Sequence, residues 1–330
     1  MTSGRGGQWE GSASLLSIDR PACPWEEGFK VLRFVQQSRS PLPTRLLGKT
    51  GVTLPILGFG TAAAGRRLNT RDAVRLYEAA FRAGITYFDT APEFAGYGQA
   101  QVQLSHVLRQ VRSQVFLVTK CYEPDGERAL QLLEQNLKEL GTTYADLVFV
   151  HSVGADKMDP KIVFSKYGTY AALMKAKSLG LTRFVGLSGH SRPARFVQAL
   201  RHFEIDVLLN AVNFVDRHTY NFEEQVWPAA ARQNIGLIAM KVFGGAQHPP
   251  PDRLSHAQMP VDYHDVAFRY ALSQPHVCCA TIGMATSREL EENLDRARRF
   301  QPLSMAEGRR LHEAGALLAR QWTDHLGPVS

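Results

Sequence analysis

Polar side chains follow three successive apolar runs of the chain. Asp89 follows the run TYF, Lys120 follows the run VFLVT, and His151 follows the run LVFV. The ends of consecutive parallel strands meet at one face of a sheet or barrel, where enzymes of such folds build their active sites. A carboxylate, an ammonium and an imidazole are groups that bind and transfer protons. Their placement therefore predicts an enzyme.

The elements that carry these residues form eight consecutive strand–helix units. The predicted strands are residues 54–60, 85–90, 115–120, 145–151, 183–188, 206–214, 235–242 and 277–282. The predicted helices are residues 71–82, 99–110, 126–140, 168–179, 192–203, 222–233, 261–273 and 287–299. Apolar strands that alternate with helices need both faces covered, and eight such units in about 250 residues indicate a (β/α)8 TIM barrel. A doubly wound open sheet is the alternative, and the lack of G-x-G-x-x-G after the first strand disfavours it.

The barrel is predicted to be a single domain with an N-terminal extension. The barrel occupies residues 41–330, and the extension, residues 1–40, is expected to be partly ordered with a short helix at 29–35. The loops at 154–166 and around the proline run 248–251 follow strands. We expect them to overhang the active face and to govern substrate choice.

Composition excludes several classes of protein. The 330 residues are 44% hydrophobic and 21% charged, as in a globular protein with a large core. No apolar run reaches the roughly 20 residues of a membrane span, and the N-terminus lacks a secretory signal. A cytoplasmic protein without membrane contacts is expected. The net charge is +7, and the basic residues are scattered along the chain. The scatter predicts no nucleic-acid surface. The positive charge favours an anionic cofactor or substrate.

Neither cysteines nor histidines suggest a metal or redox centre. The four cysteines form no C-x-x-C pair and are expected to be reduced: Cys23, Cys121, Cys278 and Cys279. The last two are expected to alternate inward and outward on a strand as small core residues. Three histidines eight residues apart are interpreted as surface residues because their spacing suits no compact ligand set: His248, His256 and His264.

The order of short motifs across residues 45–294 resembles the aldo-keto reductases. In the first four strands the motifs are GFGT (58–61), FDTA (88–91), TK (119–120) and VH (150–151). Later strands contribute VGLSGH (185–190), MK (240–241) with GG (244–245), and IGM (282–284) with LEENL (290–294). Each motif is common, but their order at successive strand ends is improbable by chance.

The resemblance implies hydride transfer between a nicotinamide and a small-molecule carbonyl or alcohol, which could be an aldehyde, a ketone or a sugar-like compound. A tyrosine hydroxyl would donate a proton to the carbonyl oxygen. Lys120 would lower the pKa of that hydroxyl, and Asp89 would hold Lys120 in place. His151 would orient the carbonyl and stabilise its developing charge.

The tyrosine itself departs from the family pattern, which often reads D-T-A-x-x-Y-G. Position 94 is phenylalanine, and Tyr97 is the next tyrosine. In one alignment three residues are inserted and Tyr97 is the proton donor, with Gly96 and Gly98 allowing the reach. In the other, Phe94 replaces the tyrosine. Gln101 stands where the family usually has glutamate.

The resemblance also implies a set of dinucleotide contacts. They are Gly60, Thr61, Ser188, Asn210, Lys241, Gly244, Gly245, Gly283, Arg288, Glu292 and Asn293. Ser188 would bind the nicotinamide carboxamide. Asn210 would assist it, although Leu209 matches the family's glutamine equally well. Gly244 and Gly245 would meet the pyrophosphate.

The adenosine end decides between NADP and NAD. Glu292 and Asn293 match the family's adenine contacts. Gly283 and Glu289 occupy positions where basic residues usually hold the 2′-phosphate, and Arg288 lies near. The family favours NADP over NAD. Lys241 is either a phosphate contact or a substrate-facing charge.

Two functions fit the sequence. The first is an NAD(P)-dependent oxidoreductase that uses Asp89, Tyr97, Lys120 and His151. The second is a nucleotide-binding barrel with a degenerate site and a regulatory or non-redox role, motivated by Phe94 and Gln101. No cysteine follows Cys279, so no C-terminal iron–sulfur segment is expected. The sequence does not determine the oligomeric state.

Overall fold

A computed structural model describes residues 40–245 and 257–330. The predicted N-terminal extension up to residue 39, its helix at 29–35, and the proline run at 248–251 lie outside the described residues, as do Cys23, His248 and His256. In the described part of the chain, no group of three or more His, Cys, Asp or Glu residues is arranged to hold a metal ion. No helix there has the length and apolar character needed to cross a bilayer.

The first elements are two short antiparallel strands, β1 (Thr44–Leu46) and β2 (Thr53–Pro55). Parallel strands follow, and eight of them close into a barrel within the described residues. They are β3 (Leu57–Gly60), β4 (Tyr87–Asp89), β5 (Phe116–Cys121), β6 (Ala145–Val150), β7 (Thr182–Gly189), β8 (Val207–Ala211), β9 (Gly236–Met240) and β10 (Val277–Gly283). Each pairs with the next in the chain, and β10 pairs with β3. The predicted TIM barrel is confirmed.

Helices fill the connections between the barrel strands and cover the outside of the barrel. They are α1 (Ala62–Arg67), α2 (Thr70–Arg82), α3 (Ala100–Val111), α4 (Gly126–Leu140), α5 (Pro160–Val163), α6 (Thr169–Ser178), α7 (Pro193–His202), α8 (Phe222–Gln225), α9 (Trp227–Arg232), α10 (His264–Ser273), α11 (Ser287–Arg298) and α12 (Met305–Trp322). Most bounds lie within a few residues of the prediction. The helix predicted at 222–233 is instead two short helices, interrupted at Val226 just before Pro228.

The strand predicted at 54–60 is divided between two sheets. Leu54 belongs to the β1–β2 hairpin, and only Leu57–Gly60 joins the barrel. Leu47 and Leu54 enter the apolar cluster inside the barrel, so the hairpin closes the barrel floor. The guanidinium of Arg45 anchors the hairpin by donating 2.7 Å hydrogen bonds to the carbonyl oxygens of Leu272 and Val277.

Alternation along the strands places apolar and polar side chains in successive interior layers. Phe116 and Val118 of β5 lie in the interior cluster, and Lys120 is the next residue on the same side. Tyr87 of β4 lies in the same cluster, followed by Asp89. The polar layer therefore sits on the apolar layer, at the carboxyl ends of the strands.

The two cysteines of β10 depart from the predicted alternation. Cys278 and Cys279 both belong to the interior cluster, because the register of β10 against β9 shifts between Val277 and Cys279. Burial raises the pKa of the Cys278 thiol to about 12, as it does for Cys121. These thiols are small, protonated core residues.

Candidate active site

Lys120 is the centre of the polar layer. Its ammonium donates hydrogen bonds to the Asp89 carboxylate, to the carbonyl oxygen of Thr90 at 3.0 Å and to the hydroxyl of Tyr97 at 2.9 Å. The side chain is only 2% exposed. Burial alone would lower the pKa of Lys120, but Asp89 and Tyr97 outweigh it and raise the pKa above its ordinary value. The buried amine is therefore charged.

Tyr97 reaches Lys120 from the loop between β4 and α3. A short helical turn ends at Gly96, which has φ +84°, and Gly98 has φ +54°. Gly98 also packs against α1 so closely that a Cβ there would lie 2.5 Å from the carbonyl oxygen of Gly65. The loop is held at this point by a hydrogen bond from the amide of Gln99 to the same carbonyl, at 3.1 Å.

The two alignments of the tyrosine place different side chains near Lys120. Phe94 is 61% exposed, and its ring lies at the rim of the cavity. Tyr97 is the residue whose hydroxyl contacts the ammonium. Burial and then Asp89 raise the pKa of Tyr97, and together they outweigh the lowering effect of Lys120 and Arg66. The expected lowering by Lys120 exists, but the net shift is upward and the phenol is protonated.

His151 stands at the end of β6, beside the same cavity. Its ring packs edge-on against Tyr122, with centroids 5.6 Å apart. Burial lowers the pKa of His151 well below its ordinary value, and the charge of Lys120 lowers it further. A neutral imidazole keeps one N–H for donation to a bound oxygen.

Gln101 takes part in a buried network beneath this site. Its amide donates to Asn136 and Glu139, and its carbonyl oxygen accepts a 2.7 Å hydrogen bond from Thr119. Asn136 in turn donates to the carbonyl oxygen of Lys120 at 3.0 Å. The network ties α3 and α4 to β5, so Gln101 supports the strand that carries Lys120.

A cavity of about 530 Å³ opens at the carboxyl ends of the strands. The four predicted catalytic residues line it, namely Asp89, Tyr97, Lys120 and His151. Several predicted dinucleotide contacts also line it, and these are Gly60, Ser188, Lys241 and Gly283. His190 is a further lining residue.

Among the residues that line the cavity, two buried hydroxyls have no hydrogen-bond partner in the described structure. They belong to Ser188 of β7 and Thr281 of β10, and both residues line the cavity. Buried polar groups are rarely left unpaired, so the two hydroxyls are suited to a polar ligand. Thr281 was missed in the sequence, although it lies two residues after the interior Cys279 and alternation places it inward. Arg66 also lines the cavity. It was missed in the sequence because it lies within α1 and not at the end of a strand.

The remaining predicted dinucleotide contacts lie elsewhere or are already bonded. Asn210 bonds to the Gly189 carbonyl at 3.3 Å and to the Trp227 indole at 3.2 Å. Leu209, its alternative match, belongs to the interior cluster. Thr61 donates to the carbonyl oxygen of Asp89 at 2.9 Å and so fixes the end of β4.

The predicted adenosine contacts lie on α11. Arg288 pairs with Glu292 at 2.8 Å on the surface, and Asn293 donates to the carbonyl oxygen of Glu289 at 2.9 Å. The Glu289 carboxylate accepts a hydrogen bond from the amide of Thr286 and completes a capping box at the start of α11. None of these residues lines the cavity described above.

Lys241 follows β9 in a left-handed backbone conformation, with φ +56°. Its carbonyl oxygen accepts a 2.9 Å hydrogen bond from the amide of Asn213. Asn213 also donates to Asp216 at 2.6 Å, and the other oxygen of Asp216 contacts the Nε2 of His325 at 2.8 Å. This chain links Lys241 to the C-terminal segment, residues 322–328. In that segment, the Trp322 ring lies against Gly244.

Comparison with known proteins identifies the family. The family model described as the aldo/keto reductase family matches residues 56–248, which is more than half of the chain. The chain belongs to the aldo/keto reductase family. Like other aldo-keto reductases, it is an NAD(P)-dependent oxidoreductase.

Curated relatives and a solved structure agree with this assignment. L-galactose dehydrogenase of Arabidopsis thaliana is 25% identical over 83% of this chain and 93% of its own length. D-threo-aldose 1-dehydrogenase of a Pseudomonas species is 25% identical over 67% of this chain and 77% of its own. The aldo-keto reductase AKR11C1 from Bacillus halodurans shares the fold, with a TM-score of 0.67 at 21% identity over 87% of this chain and all of its own.

The residues of the cavity fit the nicotinamide end of the family's cofactor. The unpartnered hydroxyls of Ser188 and Thr281 can bond a carboxamide, which both donates and accepts. Gly283 lines the same cavity without a side chain, which leaves room for a flat ring beside it.

Proposed function

We propose that this aldo-keto reductase interconverts an aldehyde or sugar-like carbonyl and its alcohol, with Tyr97 as the proton donor for reduction. The observation that carries the proposal is the 2.9 Å contact between the Tyr97 hydroxyl and the Lys120 ammonium at the wall of the cavity. The relatives named above oxidise L-galactose and D-threo-aldoses by name, which supports a sugar-like substrate.

The side chains divide the work of the reaction. The nicotinamide, when bound, supplies or accepts the hydride. Tyr97 donates its proton to the carbonyl oxygen, and its raised pKa keeps that proton in place at neutral pH. Lys120 stabilises the phenolate that forms, because its charge lies at hydrogen-bond distance. Asp89 holds Lys120 in position.

His151 acts as a neutral donor rather than as an acid. Its lowered pKa means that the imidazole carries no charge at neutral pH. Because His151 lines the cavity, one N–H of the neutral ring would then bond and orient the carbonyl oxygen beside Tyr97. Competition from a charged imidazole for the role of proton donor is thereby avoided.

For the cofactor we propose NADP, with NAD as the alternative. Arg288 near the start of α11 supports NADP, whereas the Glu289 carboxylate bonded to the Thr286 amide opposes a 2′-phosphate. Parallel fluorescence titrations with NADPH and NADH distinguish the two. Tighter binding of NADPH would support NADP as the cofactor, and tighter binding of NADH would support NAD.

The role of Tyr97 is tested by comparing Tyr97→Phe with Phe94→Tyr. We expect Tyr97→Phe to lower kcat by about 10² to 10⁴-fold, because a positioned general acid contributes that much. The Kd for the dinucleotide, measured by fluorescence, should change little. Phe94→Tyr should give no gain in kcat, since the ring at position 94 lies outward.

The opposite pattern would support the degenerate-site alternative. Full turnover in Tyr97→Phe would remove Tyr97 from the mechanism. A large gain in Phe94→Tyr would indicate that the wild-type site has lost its acid. A nucleotide-binding barrel without redox function would bind dinucleotide and turn over no carbonyl compound in either variant.

A further inference from the structure

Ser152, the residue after His151, lines the same cavity. The residue is only 4% exposed. Its hydroxyl has no hydrogen-bond partner among the residues that the structure describes. A hydroxyl both donates and accepts hydrogen bonds, and buried hydroxyls are usually paired. Ser152 therefore offers an unused polar group to a molecule that occupies the cavity.

The backbone at Ser152 explains why it shares the cavity with His151. Successive residues of an extended strand face opposite sides, so a continued strand would turn Ser152 away from the cavity. The chain instead takes a left-handed conformation at Ser152, with φ +53°. Residues with a Cβ rarely adopt this conformation, and it persists only where the surrounding structure imposes it.

Hydrogen bonds on both sides of Ser152 impose this turn. The amide of His151 donates to the carbonyl oxygen of Cys121 at 3.0 Å, at the end of β5. The amide of Val153 donates to the carbonyl oxygen of Ser188 at 2.9 Å, near the end of β7. Ser152 is thus held between the residue that bears the imidazole and the strand that bears the proposed nicotinamide contact.

Arg195 of α7 fixes the loop that continues from this turn. Its guanidinium donates to three carbonyl oxygens, those of Val153 at 3.1 Å, Ala155 at 2.9 Å and Met158 at 3.3 Å. Hydrogen bonds from a charged donor are stronger than those between neutral groups. The loop therefore cannot turn Ser152 away from the cavity without losing these bonds.

We propose that Ser152 determines specificity, because its hydroxyl bonds a hydroxyl group on the carbon next to the reacting carbonyl. His151 orients the carbonyl oxygen in the proposed reaction. The Cα atoms of consecutive residues are about 3.8 Å apart, so Ser152 is the neighbour suited to the adjacent carbon. The inference rests on the proposed function and narrows its substrate class to 2-hydroxy aldehydes and similar sugar-like compounds.

The first arm of the experiment compares propanal with 2-hydroxypropanal, which differ by one hydroxyl. We expect the wild type to favour 2-hydroxypropanal in kcat/KM by about three- to tenfold, as for one neutral hydrogen bond. Ser152→Ala and Ser152→Gly should both lose this preference. Alanine keeps the backbone strain and glycine relieves it, so agreement between the two variants assigns the effect to the hydroxyl.

Ser191→Ala is the matched control for this comparison. Ser191 is as buried as Ser152, with 3% exposure, and does not line the cavity. The substitution removes the same hydroxyl group from the neighbouring loop. The control should keep the wild-type preference between the two aldehydes.

The second arm needs no turnover. Lactamide and propanamide, unreactive counterparts of the two aldehydes, are titrated into the dinucleotide-loaded protein and followed by NMR. We expect the wild-type Kd to be about three- to tenfold lower for lactamide. The difference should vanish in Ser152→Ala and Ser152→Gly but not in Ser191→Ala. The Kd for the dinucleotide, measured by fluorescence, should shift by less than about twofold in all three variants.

Two results would overturn the role of Ser152. One is a wild type that does not distinguish lactamide from propanamide, or an aldehyde preference that survives in Ser152→Ala. The other is a loss of dinucleotide affinity of about tenfold in both Ser152 variants, which would assign the hydroxyl to the carboxamide of the cofactor. Failure of the proposed function looks different, because the wild type would then turn over neither aldehyde while still preferring lactamide, or Tyr97→Phe would retain full turnover.

Discussion

At the scale of single residues, the buried ion pair between Lys120 and Asp89 organises the chemistry. Removing one partner leaves the other buried and unpaired, which usually costs about 3–5 kcal/mol. We expect Lys120→Met to abolish turnover and to lower the free energy of unfolding, measured in urea. The double variant Asp89→Asn/Lys120→Met should recover part of that stability but no turnover. Wild-type turnover in Lys120→Met would exclude a catalytic role for Lys120.

The second residue-scale prediction concerns pH and His151. The folded protein holds the pKa of His151 well below the ordinary value near 6.5, so only the unfolded chain takes up the proton in mild acid. Stability is therefore retained above about pH 6.5 and lost as pH falls below it. We expect His151→Asn to lose less stability than the wild type between pH 6.5 and pH 5, measured by urea unfolding across that range.

An exposed histidine supplies the control for this experiment. His106 lies on the outer face of α3. His106→Asn should follow the wild-type pH dependence. If His151→Asn also follows it, the imidazole of His151 titrates normally in the folded protein and is not held neutral.

At the scale of elements, the contact between α1 and the loop after β4 determines where Tyr97 lies. Gly96 and Gly98 both have positive φ, so alanine at either position costs roughly 1 kcal/mol in backbone strain. Only at Gly98 would the new Cβ also meet backbone, 2.5 Å from the Gly65 carbonyl oxygen, whereas nothing lies within 4 Å at Gly96. We expect Gly98→Ala to lower kcat by about 10²-fold through misplacement of Tyr97.

The variant Gly96→Ala distinguishes misplacement of Tyr97 from backbone strain in the loop. It should lose a similar amount of backbone stability in urea, with kcat within a few-fold of the wild type. Equal losses of kcat in the two variants would show that the glycines act through loop strain alone.

The sequence predicts those elements whose signals are local. The helix predicted at 126–140 has the observed bounds, because Asp125 caps its first turn and Gly141 ends it with φ +63°. The strand predicted at 54–60 is divided because Leu54 packs into the barrel floor, a contact that depends on the whole barrel. Likewise, the ends of β4, β5 and β6 indicate where Asp89, Lys120 and His151 stand. The reach of Tyr97 depends on Gly65, 32 residues earlier, which no local pattern reveals.

At the scale of the whole molecule, the C-terminal segment fastens several loops of the active face. His325 contacts Asp216, and the hydroxyl of Tyr220 accepts from the Leu326 amide and donates to the Gly327 carbonyl oxygen. We expect His325→Leu to lower the free energy of unfolding by about 1–3 kcal/mol, because Asp216 loses a buried partner. Hydrogen exchange of the amides at 241–245 should also quicken, since Asp216 steadies the Asn213 that holds Lys241.

His325→Gln restores a donor at this position and serves as the control. It should lose less stability than His325→Leu in urea and show slower exchange at residues 241–245. Wild-type exchange there in His325→Leu would show that the C-terminal segment and Lys241 are independent.

The pairing of the last barrel strand with the first has a consequence for synthesis. β3 finds one of its two neighbours in β4, but the other is β10, which leaves the ribosome more than 200 residues later. At roughly 5–20 residues per second, the nascent barrel keeps an open strand edge for on the order of ten seconds or longer. The Arg45 anchor, which needs the carbonyls of Leu272 and Val277, forms in that same final step. A ribosome stalled before β10 would therefore display an unsealed barrel, a natural client for chaperones that recognise exposed strand edges.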